Sequence, residues 1–275
     1  MDVLTIELVV LWCAAGLYLV SGILFVYSIV FRNEHASKQS MFLALAGLLL
    51  HSVALMMRWG ISGHPPYTQK YEIYSLSVWT TILFFMILGW RRPKLRIIGI
   101  VIMPLSLLVM AISLSGNPAV NSLSPSLLGI WFHIHAISNA LTAGASILAV
   151  GASIIYILKD KRQDLEFYAK LPSLDVLDEY AYKFAAFSFI FWSITVVSGA
   201  IWANNAWGRY WAWDPIETWS LITWCMFALY LHVRHFFKWK GRKAALLLCL
   251  CFCSSVLGLA LLPIFIESIH SAYFQ

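Results

Sequence analysis

Charged residues are scarce in this chain. They make up 12% of the 275 residues, whereas hydrophobic residues make up 61%. A soluble globular chain carries about 25% charged residues. No polar stretch long enough to form a soluble domain separates the apolar runs. The composition therefore excludes an ordinary soluble enzyme and indicates an integral membrane protein.

Cysteine is also rare, and its spacing excludes two further classes of protein. All five cysteines lie within apolar runs, and the sequence contains neither C-x-x-C nor C-x-x-C-H. The first absence argues against a thiol oxidoreductase, and the second argues against a c-type cytochrome. Cys249, Cys251 and Cys253 occupy alternate positions, which do not share one face of a helix. We interpret them as packing residues rather than as metal ligands.

Long apolar runs fill most of the sequence. A helix needs roughly 20 predominantly apolar residues to cross the hydrocarbon core of a membrane. Runs of this kind occupy residues 4–31, 39–59, 71–90, 95–114, 126–158, 180–202, 218–237 and 244–262. We therefore predict an all-α, polytopic bundle of about eight transmembrane helices, forming a single domain over residues 1–275. Asp2 and Glu7 stand where a cleavable signal would carry basic residues, so the first run is predicted to be a retained helix.

The basic residues predict how the bundle is oriented. Of 19 lysines and arginines, only Arg58, Lys70 and Arg209 fall in the loops of one side, which leaves 16 on the other. Loops rich in Lys and Arg stay in the cytoplasm during insertion, so both termini are predicted to lie outside the cytoplasm. The net charge of +6 follows from this topology. No basic-aromatic motif points to nucleic acid as a partner.

One predicted outer loop is unusually rich in tryptophan. Residues 207–224 read W-G-R-Y-W-A-W-D-P-I-E-T-W-S-L-I-T-W, which places five of the 13 tryptophans within 18 residues. Tryptophans gather at membrane interfaces for general reasons, and Asp214-Pro215-Ile216-Glu217 is also an ordinary helix start. Neither reason explains the density of the cluster. An aromatic surface suits a large, flat, hydrophobic ligand, and a porphyrin is the obvious candidate.

Histidines flank this loop on the same predicted side of the membrane. His133 and His135 lie about two turns into the fifth run, and His270 follows the last one. Because His133 and His135 are two residues apart on a helix, only one of them can enter a given site. That residue and His270 are a candidate pair of axial ligands for a heme iron. His232 lies roughly 20 Å deeper, and His51 lies inside the second run. Each is a functional candidate in a membrane helix, or else a histidine hydrogen-bonded between helices.

The tryptophan-rich run resembles the WWD motif of heme-handling proteins. More narrowly, the chain resembles the CcsA/ResC family, the membrane component of System II cytochrome c biogenesis. Further segments are similar to that family in the same order and cover about residues 58 to 273: Arg58-Trp59…Gly63-His64-Pro65…Tyr71-Glu72, Pro125…Trp131…His135, Tyr230-Leu231-His232-Val233-Arg234 and His270-Ser271. Two positions depart from the family pattern: Ile216 replaces a lysine, and Ala272 is inserted before Tyr273. Neither departure removes a candidate ligand.

The resemblance implies roles for individual residues. The W-x-x-x-H spacing of the family selects His135 over His133, so His135 and His270 are the expected axial ligands of an outer heme. His232 resembles the histidine that receives heme on the inner side of the membrane. Arg58 and Arg209 are candidate partners for the heme propionates. The expected surface that holds the heme consists of Trp207, Trp211, Trp213, Asp214, Trp219 and Trp224.

The resemblance also implies a function. Proteins of this family present heme b, bound non-covalently and in transit, for attachment to the CxxCH motif of apocytochrome c. They act with a CcsB/ResB-like partner in the cell inner membrane or a thylakoid-type membrane, and the synthase activity belongs to that complex. Three alternatives remain open: a HemX-like regulator of heme synthesis, a b-type electron-transfer subunit that pairs His51 with His232, and a solute transporter without heme.

Overall fold

Helices make up most of the part of the chain that the structure describes. The computed structural model describes residues 2–120, 123–161, 171–258 and 266. These residues contain no β-strand, and short 3-10 helices at Pro93–Ile98 and Pro125–Leu127 precede the fourth and fifth helices. The all-α prediction is therefore confirmed. The α-helices of the described residues are α1 (Val3–Val30), α2 (Glu34–Ser62), α3 (Lys70–Arg91), α4 (Gly99–Leu114), α5 (Ile130–Asp160), α6 (Leu174–Trp207), α7 (Pro215–His235) and α8 (Arg242–Val256).

Seven segments are long and apolar enough to cross a membrane. They are α1, α2, α3, α5, α6, α7 and the segment Pro93–Leu114, which joins a 3-10 helix to α4. The eighth predicted run, 244–262, is represented by α8, and the last residues of that run lie outside the described residues. The chain is thus a multi-pass helical membrane protein. The predicted side of each loop stays a prediction.

Several helices begin earlier than their apolar runs, because polar residues cap them. The Asn33 side chain accepts a hydrogen bond from Ala36 N at 3.1 Å and starts α2 ahead of the predicted boundary. The fifth helix, in contrast, begins later than its predicted apolar run. Its run was predicted from residue 126, but Pro125–Leu127 forms a 3-10 turn and α5 begins at Ile130. His135 therefore lies five residues after the first residue of α5, about one and a half turns in.

Helix α5 lies at the centre of the bundle and positions the site. It packs most extensively along α6 and also contacts α3 and α8. Close approach of α5 to its neighbours depends on small residues, as is common between membrane helices. A Cβ added at Gly151, for example, would lie 2.8 Å from the Ile102 side chain of α4. The part of α5 from Ser138 to Tyr156 is consequently mostly buried among other helices, whereas Ile130 and Trp131 at its start are exposed.

Candidate functional site

The main feature of the described structure is an apolar cavity of about 260 Å³ between α3, α5, α6, α7 and α8, to which α4 also contributes two residues. It is slightly smaller than typical ligand pockets, which are mostly apolar clefts of about 300–1,000 Å³ with a few polar groups. Near the start of α5, the wall of this cavity contains Tyr67, Phe132, His135, Trp202 and Trp211. The cavity therefore combines an imidazole with aromatic rings that come from four different segments of the chain.

His135 is held in a defined orientation on this wall. Its Nδ1–H donates to the Thr195 carbonyl oxygen of α6 at 2.9 Å. Its ring stacks on Trp202, with centroids 5.9 Å apart and planes 30° apart. Because Nδ1 carries the proton, Nε2 is the nitrogen that carries the lone pair. A histidine that binds a metal usually makes this second hydrogen bond, which fixes the tautomer and the ring orientation.

His133 points elsewhere. Its ring lies edge-on to Tyr67, with centroids 5.7 Å apart, and to Phe132, with centroids 6.0 Å apart. It is not among the described residues that line the cavity. The structure thus separates the two histidines of α5 as their spacing predicts, with His135 on the cavity side.

Three cavity residues of α6 that face His135 are not predicted from the sequence. Thr195, Gly199 and Trp202 are spaced i, i+4, i+7 and form one face of α6 toward His135. Gly199 leaves room for the imidazole, since a Cβ at this position would lie 2.7 Å from His135 Nδ1. The signal in the sequence is a small residue one turn before a tryptophan, outside the tryptophan-rich loop.

The tryptophan-rich loop folds back onto the start of α7. The Asp214 side chain caps this helix by accepting from Ile216 N at 3.0 Å, and Pro215 is its first residue. The predicted helix start is confirmed. The Glu217 carboxylate accepts from Ala212 N at 2.8 Å, so it anchors the loop close to Trp211.

Trp211 and Trp213 occupy different environments. Trp211 lines the cavity and lies edge-on to Trp213, with ring centroids 6.0 Å apart. Trp213 is 71% exposed. Its backbone φ is +58°, in the left-handed region that a bulky residue rarely adopts. The turn at Trp213 directs the Trp211 indole inward and leaves the Trp213 indole on the surface.

The other tryptophans of the motif support helix packing. Trp207 packs on Trp202, with ring centroids 5.1 Å apart. Trp219 donates from Nε1 to the Ser254 carbonyl oxygen of α8 at 2.8 Å. Trp224 donates to Ser193 Oγ of α6, also at 2.8 Å. Within the described residues, the six motif residues therefore do not form one continuous surface, and Trp211 is the one that lines the main cavity.

The two deeper histidines do not face each other. His51 is fully buried, with Ser75 Oγ 2.9 Å from Nε2 and Tyr18 OH 3.3 Å from Nδ1. Both of its ring nitrogens are thus used between α1, α2 and α3. His232 is exposed near the end of α7, where its ring contacts Phe236. This geometry is not that of a ligand pair on two facing helices.

The remaining predicted site residues are not on the cavity wall, or they lie outside the residues that the structure describes. Arg58 is 1% exposed and forms an ion pair with Glu72. Arg209 is exposed in the loop beside Tyr210, and Tyr210 lines the cavity. His270 lies outside the described residues, so its assignment as an axial ligand stays a prediction.

Comparison with known proteins identifies the family. The model of the cytochrome c assembly protein family matches residues 67–270. The chain is 31% identical over 238 residues to cytochrome c biogenesis protein CcsA of Trieres chinensis, a match that covers 74% of this chain and 76% of that protein. This chain belongs to the CcsA family. For CcsA of Guillardia theta the identity is 33%, covering 73% and 74% of the two chains, and for CcsA of Pinus thunbergii it is 29%, covering 90% and 91%.

A solved structure shares the fold of this CcsA-family chain. Cytochrome c Heme Lyase CcmF superposes with a TM-score of 0.69 at 15% sequence identity, over 94% of this chain. The chain corresponds to only 46% of that protein. Similarity at this level of identity shows a common arrangement of helices. Together with the family match, it places the chain among multi-pass membrane proteins of cytochrome c biogenesis.

Proposed function

We propose that this chain holds heme b, non-covalently and in transit, in the cavity between α3, α5, α6, α7 and α8. We infer that it presents the heme at the outer face of the membrane for attachment to apocytochrome c. The observation that carries the proposal is the placement of His135. Its imidazole stands on the wall of an apolar, aromatic cavity with Nδ1 bound to a carbonyl oxygen. That environment suits an axial ligand of heme iron.

The residues of the chain fit a heme in complementary ways. His135 is the proposed axial ligand through Nε2, and His270 is the proposed ligand on the opposite face. Trp211 and Trp202 supply aromatic contact area for the porphyrin. Trp213 supports Trp211 at its edge. The other motif residues hold the loop and α7 in place through the contacts described above: Trp207, Asp214, Trp219 and Trp224.

Bound heme supplies the vinyl groups to which the two thiols of a CxxCH motif add. The role of this chain is to hold the ring, to keep water from it and to leave one edge accessible from outside. Arg209 is the better placed of the two candidate propionate partners, because it is exposed beside a cavity residue and Arg matches a carboxylate with two hydrogen bonds. Arg58 already bonds within the protein.

His232 is proposed to receive heme near the inner side of the membrane. Its ring touches Phe236 and Phe237. Because His232 is exposed, there is room beside it for a second heme ligand from another protein. A CcsB/ResB-like membrane protein is the proposed partner, and the synthase activity is attributed to the complex. The proposed location is the cell inner membrane or a thylakoid-type membrane.

An absorption spectrum of the purified chain tests the proposal. Protein from heme-replete cells is expected to show a low-spin spectrum and a pyridine hemochrome of the b type. Acid acetone should extract the bound heme, because the heme is held non-covalently. A folded but heme-free preparation would contradict the proposal. A heme that stays bound in the presence of the partner and apocytochrome c would instead favour a b-type electron-transfer subunit.

A further inference from the structure

A buried ion pair joins the C-terminal end of α2 to the first turn of α3. Arg58 Nε donates to Glu72 Oε1 of α3 at 2.8 Å, and the two side chains are 1% and 0% exposed. A buried ion pair is costly unless further hydrogen bonds satisfy its other donors and acceptors. Arg58 Nη1 donates to the Pro118 carbonyl oxygen at 2.6 Å, and Nη2 donates to Gln69 Oε1 at 3.3 Å and to the Ala119 carbonyl oxygen at 3.4 Å. All three guanidinium nitrogens are therefore bonded within the protein.

The second oxygen of Glu72 holds the loop between α2 and α3. Glu72 Oε2 accepts from Thr68 N at 2.9 Å, from Thr68 Oγ1 at 3.0 Å and from Gln69 N at 3.4 Å. Thr68 and the preceding Tyr67 both line the cavity. Glu72 thus connects Arg58, which is not a cavity residue, to Thr68 directly and to Tyr67 through the backbone.

The same network reaches α1 and α5. Tyr71 donates from its hydroxyl to Glu7 Oε1 of α1 at 2.7 Å, and Arg58 Cζ lies 5.2 Å from the centre of the Tyr71 ring. On the other side, Tyr67 contacts Phe132 of α5, with ring centroids 6.1 Å apart. The ion pair therefore links three helices and the loop after α4 to the segment that closes the cavity near His135.

We propose that Arg58 and Glu72 are positioning residues that hold Tyr67 and Thr68 as a wall of the cavity, and that Arg58 does not bind the carboxylates of the ligand. The proposal rests on the proposed function for the identity of the ligand as heme. Its structural part is independent of any ligand. The sequence shows Arg58 only as a rare cation on the outer side, and the structure shows that its charge is balanced by Glu72, 14 residues later.

Binding of heme and of heme dimethyl ester separates the two roles of Arg58. Glu72→Gln and Arg58→Lys are expected to weaken the binding of both ligands by the same factor, about tenfold or more. A displaced cavity wall misplaces the porphyrin ring whether its carboxyl groups are free or esterified. Thr68→Val removes one hydroxyl and keeps the backbone hydrogen bond to Glu72. It is the mildest variant and should weaken the binding of both ligands by a smaller factor. Arg209→Ala is the matched control for a propionate partner, and it should weaken heme but not the ester. The positioning role would be overturned if Arg58→Lys, like Arg209→Ala, weakened the binding of heme but not of the ester. It would also be overturned if Glu72→Gln changed the binding of neither ligand.

Limited trypsin digestion tests the wall without any ligand. Lys70 is half-buried as the first residue of α3, directly after the loop that Glu72 holds, whereas Arg209 is exposed. Cleavage at Lys70, measured by mass spectrometry relative to cleavage at Arg209, is expected to rise in Glu72→Gln and Arg58→Lys and less in Thr68→Val. Unchanged cleavage in all three variants would overturn the proposal. If wild-type protein bound neither heme nor the ester, the proposed function would fail, and the Lys70 ratio would still decide whether the pair positions the loop.

Discussion

The imidazole of His135 rests against the backbone of Gly199 across the interface of α5 and α6. A Cβ at residue 199 would lie 2.7 Å from Nδ1 and 3.0 Å from Cε1 of that imidazole. The hydrogen bond to the Thr195 carbonyl oxygen and the stack on Trp202 come from the same face of α6. Helix α6 therefore sets the orientation of the proposed ligand, although no residue of this face belongs to the tryptophan-rich loop.

Gly199→Ala is expected to displace His135. The added methyl group leaves no room for the imidazole in its present position, so the ring must turn or α5 must move. We expect lower heme occupancy and loss of low-spin character in the heme that remains. Occupancy is measured by pyridine hemochrome per mole of purified protein, and the spin state is measured by the absorption spectrum.

Gly60→Ala is the matched control for this substitution. Gly60 is also in a helix, and nothing lies within 4 Å of the Cβ that alanine would add. Replacing an exposed helical glycine by alanine stabilises a helix by roughly 0.5–1 kcal/mol, so heme occupancy should stay at the wild-type level. Equal loss of heme in both variants would show that the effect is not specific to contact with His135.

Trp211→Ala is expected to lower heme retention. Losing this aromatic contact should cost about 1–3 kcal/mol of ligand binding, and thus about a fivefold to 150-fold loss of affinity. Trp213→Ala should also lower heme retention, but by less, because Trp213 is 71% exposed and touches Trp211 edge-on. Retention is measured as heme per protein after repeated detergent washes.

Trp224→Leu provides the contrast within the same motif. Its indole donates to Ser193 Oγ and stacks on Phe189 of α6, with ring centroids 5.3 Å apart. The substitution should lower the thermal unfolding temperature and leave heme per folded protein unchanged. If Trp211→Ala kept wild-type heme while Trp224→Leu lost it, the cavity would not be the heme site.

The sequence predicted the fold well because run length and composition decide it. An apolar run of about 20 residues has few alternatives to a membrane helix, and Asp214-Pro215 specifies a helix start through local hydrogen bonding alone. Both predictions needed only local information. The sharp turn at Pro125–Leu127, which shortens α5 at its start, is the kind of boundary that apolar content does not report.

The sequence predicted the composition of the site better than its geometry. The density of tryptophan indicated the loop that supplies Trp211 to the cavity wall, but only tertiary packing decides that Trp219 contacts α8 and Trp211 lines the cavity. The spacing of Gly199 one turn before Trp202 is a weak signal in the sequence, because the role of Gly199 depends on an imidazole 64 residues earlier. The ion pair of Arg58 could not be predicted from the sequence for the same reason, since its partner Glu72 belongs to a different helix.

Reporter fusions test the predicted orientation of the helices. A reporter active only in the cytoplasm should work when fused after Lys94, Lys161 or Lys240, because the basic loops are predicted to stay inside. It should fail when fused after Asn117 or Asn205. The opposite pattern would invert the bundle and place the cavity end of α5 on the cytoplasmic side.

The most discriminating substitutions compare His135 with His133. Both residues occupy the first turns of α5, and their directions differ by about 200°, so a general disturbance of this region should affect both variants equally. His135→Gly should remove an axial ligand and leave an imidazole-sized gap on the cavity wall. We expect loss of the low-spin spectrum, and we expect the same result for His270→Gly. Added imidazole should restore the spectrum and, in cells that carry the partner, cytochrome c maturation.

His133→Gly should keep the low-spin spectrum of bound heme, because its ring packs on Tyr67 and Phe132 and does not itself line the cavity. Its cost should appear as lower stability of the loop before α3, with at most the weaker heme binding of a loosened Tyr67 wall and with no response to added imidazole. Rescue by imidazole separates a lost ligand from a lost packing contact, since free imidazole binds iron but does not rebuild an aromatic cluster. If His133 proved essential and His135 dispensable, the register that selects His135 would be wrong. The ligand assignment would then fall even if the protein still bound heme.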